Sequence, residues 1–374
     1  PDRDVCIARP LKEQGYATFY CGKWHLGQGD HLPTRNGFDV AVAAGAAGAT
    51  ASHFAPYNET RRQGHRVEAP LTEVDIAPSG EYLTDRLTDE AIKFLEAQST
   101  ERPFFAVLAH YAVHTPIEGK KEIAARYRKK LRGQGLPEHV MEPESAGENL
   151  AVQNNPVYAA MIESVDEGVG RLLKCLNEKG MADNTVVVLA SDHGGLSARG
   201  NKRPLATSNR PLRAGKGHLY EGGIRIPLIV RWPGVTTAGA EPHEPTFGAD
   251  FYPTFLEIAG APAPESQQHD GESIVPYLRG QSRAAPRVLY WHNPAPRPTS
   301  TGDWYSSAVR EGDWKLIDFP DRDQVELYNL VEDLGESNNL ADQNVEKAAH
   351  LKGLLDSWRT RVGAAAAKQG RRSR

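Results

Sequence analysis

Cysteine is scarce in this sequence, with three in 374 residues, at positions 6, 21 and 175. An odd, widely spaced set supplies neither a disulfide framework nor a zinc-ligand pattern. No apolar run approaches the roughly 20 residues of a membrane span. No basic-then-apolar signal segment opens the chain. A one-sided charge is missing as well. The net charge of -4 excludes the overall basic field that nucleic acid selects. The first residue is not Met, so a mature form or a fragment is expected. Glycine (35) and proline (26), in contrast, are plentiful and imply many loops, which suits an enzyme better than a helical scaffold. The length fits one large domain, or a large one with a small one.

Four short apolar runs read as strands: ATFYC at 17–21, FFAVLAHY at 104–111, TVVVLAS at 185–191 and IPLIVRW at 226–232. Their near-continuous hydrophobicity predicts burial on both faces. Helices are expected between them. Residues 83–98 carry Leu83, Leu87, Ala91, Ile92 and Leu95 on one stripe. Residues 156–180 carry Tyr158, Met161, Ile162, Val165, Val169, Leu172, Leu173 and Leu176, with Asn155 and Pro156 as start signals and Gly180 as a stop. Alternation of strands and helices predicts an α/β fold with a largely parallel central sheet flanked by helices. The division expected is a domain over 1–283 and a smaller one over 284–374. In the latter, RVLYWHN, WYSSAVREG, DWKLIDF and QVELYNL predict a small antiparallel sheet. A helix over 341–362 follows, with Val345, Ala349, Leu351, Leu355, Trp358 and Val362 on one stripe, and then a frayed basic tail. The loop at 293–303 is too proline-rich for regular structure. The basic helix at 120–133 reads as a solvated face, or else as a membrane or polyanion contact. The small-residue run at 41–53 reads as a permissive loop or a cleft lining.

The residues with chemistry follow the predicted strands. Gly22-Lys23-Trp24-His25 follows the first, Ala112-Val113-His114-Thr115-Pro116 the second and Asp192-His193-Gly194-Gly195 the third. Ligands gather at the carboxyl ends of the strands in open α/β sheets, so three such ends on one sheet would face a shared crevice. Lys23 and His25 on a glycine-bounded turn point to an anion, or else to a tight turn with solvated cations. Asp192 with His193 suits a divalent metal, or else Asp192 caps a turn. Lys216, between two glycines, is a compact cation of the kind that holds phosphate or sulfate, or else a mobile surface lysine.

GYATFYCGKWHLG, AVHTP, SDHGG and PLRAGKGHLYEGGIRIPLIVRWPG together resemble the type I sulfatases of the alkaline-phosphatase-like superfamily. KLIDF and VELYNLVEDLGESNNLA resemble their C-terminal subdomain. The resemblance implies hydrolysis of a sulfate ester by a hydrated formylglycine made from Cys or Ser. It assigns Lys23 and Lys216 to the sulfate and His114 to the bridging oxygen as general acid. It assigns His25 to proton removal that regenerates the aldehyde, and Asp192 and His193 to a metal. Calcium is implied first and Mg2+, Mn2+ or Zn2+ less, although His at 193 is a nitrogen ligand that suits zinc or manganese better than calcium. A formylglycine-generating or anaerobic maturase would act on the full-length protein, which would be exported to the periplasm or secreted. GFDVAVAAGAAGATASHFAPY and SGEYLTD resemble carbohydrate-directed sulfatases, so an oligosaccharide sulfate is the expected substrate, with His53 and Tyr57 as cleft-wall candidates.

The Cys/Ser-x-Pro/Ala-x-Arg nucleophile motif of those enzymes, which stands well before the Lys-Trp-His segment, is absent from that part of this sequence, as are their paired Asp ligands on a first strand. DVCIARPLKEQGY instead resembles the helix before the Lys-Trp-His strand, which places Cys6 in a helix and Cys21 in a strand. Pro10 inside that helix would cost about 3 kcal/mol unless it sits in the first turn. The expectation is that the nucleophile lies upstream of residue 1, and that this polypeptide alone turns over negligibly. Two other readings stay open: a phosphate or phosphonate monoester hydrolase of the same superfamily, and a non-catalytic anion-binding protein. A two-zinc centre is disfavoured, because no Asp is followed four residues later by His.

Overall fold

The computed structural model describes residues 5–57, 71, 74, 77–136, 140–265 and 267–365. The predicted basic tail beyond 365 lies outside them. The chain forms two compact units, each built from separate stretches of sequence. The first comprises Pro1–Gly133, Pro156–Val187 and Val230–Ser282, and the second Gln134–Asn155, Val188–Ile229 and Arg283–Arg374. No helix among the described residues is long and apolar enough to cross a membrane.

The first unit is organised by strand β1 (Ala17–Gly22), which lies between β2 (Val40–Val42) and β3 (Phe104–Ala109) in a parallel sheet. All six β1 residues are buried, as their unbroken apolar run predicts. β3 is only half-buried, contrary to expectation, since its one described ladder partner is β1. Helix α1 (Ala8–Glu13) precedes β1 and carries Pro10 in its first turn, where the missing N–H costs nothing. Cys6 lies ahead of this helix rather than within it. Helix α2 (Leu83–Glu96) buries Leu83, Leu87, Ala91 and Leu95 as its periodicity predicts. Phe94 stacks on Phe19 of β1 at 4.5 Å. The basic helix α3 (Lys121–Arg132) buries only Ile123 and Ala124.

Helix α4 (Pro156–Glu178) follows its predicted span but turns a different face inward. Ala160, Met161, Ser164, Gly168, Cys175 and Leu176 are buried, while Ile162 and Leu173 of the predicted stripe are exposed. The reason is close packing. A Cβ at Gly168 would overlap Thr88 of α2, and one at Gly119 would press on the backbone of Val157. Small residues let the helices approach, so the larger apolar side chains are left outside.

In the second unit β4 (Met141–Glu144) and β5 (Gly147–Leu150) form a hairpin extended by β7 (Ala198–Arg199). The acidic MEPESAGENL sequence gives no alternating apolar signal for it. Instead, Arg213 neutralises buried Glu144 through two parallel hydrogen bonds of 2.8 and 3.1 Å. β6 (Val187–Ala190), whose first residue belongs to the first unit, pairs with β8 (Leu228–Arg231) as a two-stranded ladder. This corrects the expectation of one sheet holding all four runs. Two strands cover little of each other, and Leu189 and Ile229 remain exposed.

A short helix, α5 (Glu221–Ile224), leads into β8. Helices α6 (Phe251–Ala259) and α7 (Val275–Leu278) belong to the first unit. The last part of the chain matches its prediction strand for strand. β9 (Val288–Asn293), β10 (Ser306–Glu311), β11 (Trp314–Phe319) and β12 (Gln324–Asn329) form an antiparallel meander. Helix α8 (Val345–Val362) lies on it, with Leu351 and Leu355 fully buried against Val309, Leu316 and Leu327. Each such side chain contributes roughly 1.5–3 kcal/mol. Val345 and Val362 of the predicted stripe are exposed at the helix ends.

Candidate active site

β1 ends at Gly22, with φ +99° and its Cα against the Ala109 carbonyl, where a Cβ would overlap. Only glycine fits there. The Lys23 N–H donates to that same carbonyl at 2.8 Å, and the Lys23 carbonyl accepts from the Tyr20 hydroxyl at 2.5 Å. The lysine backbone is therefore fixed on both sides. Trp24 explains its own presence. Its ring packs edge-on to Tyr20 and Phe38, and its indole N–H donates to the His31 carbonyl at 2.7 Å. His25 then adopts a left-handed φ of +56°, unusual outside glycine. Its N–H donates to Gly45 O at 3.2 Å. Its ring lies flat on Gly48, where any Cβ would overlap the imidazole.

His114 lies on the turn after β3, whose register with β1 pairs Ala109 with Gly22. Lys23, His25 and His114 thus stand on loops at the carboxyl ends of two adjacent parallel strands. The His114 N–H donates to Tyr111 O at 3.0 Å. Its Nδ1 lies 2.9 Å from the Thr115 carbonyl, an acceptor only, so Nδ1 carries a proton. The predicted cleft-wall residues are not on an open wall: His53 and Tyr57 are both buried. His53 Nε2 is 3.0 Å from the His114 carbonyl, and the Tyr57 hydroxyl donates to Glu81 at 2.8 Å.

In the second unit the Asp192–Gly195 turn and the Lys216 turn are joined. The Lys216 N–H donates to Gly195 O at 3.1 Å. Asn209 holds both turns. Its Oδ1 accepts from Gly195 N–H at 3.1 Å, and its Nδ2 donates to Gly195 O and Ala214 O, each at 2.9 Å. Sequence reasoning passed over Asn209, since a lone Asn before Arg-Pro reads as a turn former. Gly217, at φ +100°, fits against Asp303 and Thr301 of the proline-rich loop. His218 is buried with Nε2 at 3.0 Å from Thr301 O, and burial holds its pKa below the usual imidazole range.

Asp192 is exposed, and His193 sits beside it with Nε2 at 3.1 Å from Asp192 Oδ2. His193 Nδ1 is 2.9 Å from the Gly194 carbonyl. This pair offers a carboxylate and an imidazole, whereas calcium takes 6–8 oxygen ligands. Among the described residues no three His, Cys, Asp or Glu side chains converge as a metal set. The donor set in hand therefore does not by itself fit a complete metal centre. The expectation that three strand ends share one sheet is corrected likewise. β1 and β3 are neighbours, while β6 belongs to the β6–β8 ladder.

The sulfatase family model matches residues 1–261, and the model for the C-terminal part of N-sulphoglucosamine sulphohydrolase matches 214–360. A sulfatase of Formosa agariphila is 30% identical over 95% of this chain and 69% of its own length. Human N-acetylgalactosamine-6-sulfatase is 28% identical over 78% of this chain, which spans 51% of that enzyme. Mouse steryl-sulfatase is 30% identical, and the chain spans 53% of it. Among solved structures, Ps i-CgsB in complex with k-i-k-neocarrahexaose superposes with a TM-score of 0.74 at 28% identity, over 96% of this chain and 74% of that one. The described α/β architecture with its C-terminal antiparallel sheet agrees with these matches, and the chain belongs to the sulfatase family.

Proposed function

We propose that the protein hydrolyses sulfate esters borne by a carbohydrate. The observation that supports this most directly is the arrangement of Lys23, His25 and His114 at the ends of β1 and β3 in a chain of that family. The carbohydrate rests on two relatives, one named for N-acetylgalactosamine 6-sulfate and one crystallised with a neocarrahexaose.

In this reading the Lys23 ammonium offsets the negative charge on the sulfate oxygens. Its backbone is pinned by Ala109 and Tyr20, so little reorganisation is needed as charge builds up. His114, with Nδ1–H held by Thr115, presents Nε2 to the ester oxygen and in its protonated form donates to the departing alcohol. His25, its ring packed against Gly48, accepts a proton at an imidazole nitrogen. Lys216, held by Gly195, is proposed as a second cation for sulfate. Asp192 and His193 are proposed as two ligands of a divalent ion, calcium first. The family's nucleophile is a formylglycine, which would supply the attack on sulfur. No residue ahead of Lys23 in this chain matches its motif, and the one stretch with that spacing, Ser306-x-Ala308-x-Arg310, lies on β10 of the C-terminal sheet with Ser306 buried.

The test is direct. Inorganic sulfate should bind this polypeptide, and Lys23→Ala should weaken binding at least fivefold. Sulfated oligosaccharide should be bound without release of sulfate. Steady sulfate release by these 374 residues would overturn the nucleophile assignment, and sulfate binding indifferent to Lys23 would overturn the anion site.

A further inference from the structure

The small-residue segment 43–53 touches both candidate histidines. Its first half holds His25, through the Gly45 carbonyl and the flat face of Gly48. Tyr111, at the base of the His114 turn, donates its hydroxyl to Ala43 O at 3.1 Å. The far end closes on the His114 turn itself through His53. One continuous segment thus braces both loops.

His53 is fully buried, and its surroundings fix its chemical state. Nε2 faces the His114 carbonyl at 3.0 Å. A carbonyl only accepts, so Nε2 carries the proton. Nδ1 is buried with no hydrogen-bond partner among the described residues, as a bare lone pair in the neutral tautomer requires. The groups facing the ring are His114, the Glu118 carboxylate and the Tyr82 ring. Burial lowers the His53 pKa and keeps the ring neutral, against smaller upward pulls from the His114 carbonyl and Glu118. Glu118 fixes the backbone from the other side. One of its carboxylate oxygens accepts from the His53 N–H at 2.8 Å and from the Ser52 hydroxyl at 2.9 Å. Its own carbonyl accepts from the Tyr82 hydroxyl at 3.0 Å. Glu118 follows His114 by four residues, so the two loops are tied at both ends of the turn.

We propose that His53, clamped by Glu118, is a positioning residue that sets the orientation of His114 through its backbone carbonyl. No contact of His53 with substrate is required. This inference rests on the role given to His114 above, but its test does not. Histidine Cε1–H NMR signals report each ring directly. In the chain as it stands, His53→Leu should displace the His114 signal and shift its titration midpoint by at least half a pH unit. His53→Gln, whose amide N–H reaches where Nε2–H does, should restore both. Glu118→Gln should give an intermediate displacement, and it serves as the second variant where His53→Leu fails to fold. An unmoved His114 signal in a folded His53→Leu or Glu118→Gln protein overturns the proposal. So does a Gln variant as displaced as Leu. Sulfate added to the wild type separates the two ideas. No sulfate-induced shift at His114 defeats the sulfate reading alone, leaving the positioning result intact.

Discussion

The two sets of candidate residues are held in place by different physics. Around Lys23 and His25 the support is almost entirely backbone: carbonyls of Ala109 and Gly45, and the bare faces of Gly22 and Gly48. Around the Lys216 turn, which the neutral Asn209 amide holds directly, the next layer of support is ionic and buried. Lys315 has no exposed surface and sits between Glu221 at 2.9 Å and Glu336 at 2.8 Å. Glu336 also accepts the Glu221 N–H at 2.6 Å. Arg213 lies 3.9 Å over the Tyr220 ring and pairs with Glu144. Burial raises the Glu221 pKa, but Lys315, Arg310 and Arg225 overcome it and hold the carboxyl below its usual range. Burial keeps Glu336 above its own. Backbone support tolerates little added bulk but carries no charge to strand. Ionic support tolerates no loss of a partner.

The largest test of that contrast is Lys315→Met. Two buried carboxylates would lose their shared cation, at a cost of about 3–5 kcal/mol, readable as a drop in the denaturant midpoint at constant slope. A loss under 1 kcal/mol would mean that the network is not what holds the Lys216 turn.

Gly48→Ala probes the backbone side. It should cost roughly 1 kcal/mol of stability or less, yet displace the His25 ring. Displacements near 1 Å lower rates on the order of 10²-fold where the group acts in chemistry. In this chain the readout is the His25 NMR signal. If stability falls as far as in Lys315→Met, the backbone loop is as structural as the ionic one and the contrast fails.

His110, just beyond β3, gives a smaller and pH-dependent effect. Both its ring nitrogens are shielded from solvent and have no partner among the described residues. Burial lowers its pKa from 6.5 to about 4. The folded state therefore resists a proton that the unfolded chain accepts. Its contribution is fully present above about pH 6.5 and is lost progressively as pH falls towards 4, by a few kcal/mol at most. Unfolding free energies between pH 4 and 7 should flatten in His110→Leu. An unchanged slope would assign the acid sensitivity elsewhere.

The smallest effect belongs to an exposed pair on α4. Lys174 and Glu178 lie 3.7 Å apart, four residues apart in sequence, and mostly in solvent. Lys174→Ala should change stability by under about 0.5 kcal/mol and lose even that in high salt. A larger loss would show that surface ion pairs matter here as well as buried ones.

Much of the fold was legible because it rests on local periodicity. The four meander strands of the C-terminal sheet alternate cleanly, and α2 buries the stripe it announces. α4 did not, because its inward face was chosen by helix–helix distance, which favours Gly168 and Ser164 over Ile162. Lys23, His25, His114, Asp192, His193 and Lys216 were legible as motif residues. Asn209 and Gly48 were not, because an amide in a turn and one glycine among several carry no periodic signal, and His53 was legible only as a cleft-wall candidate, its burial being set by contacts distant in sequence.

The sequence by itself therefore determined the elements, the family and the residue types available for chemistry, since each depends on neighbours in the chain. Only the tertiary structure decided which backbone groups those side chains meet. It turned a run of alanines and glycines into the support of two histidines. It also buried a lysine between two glutamates 94 and 21 residues away, contacts of long sequence separation that no local pattern encodes.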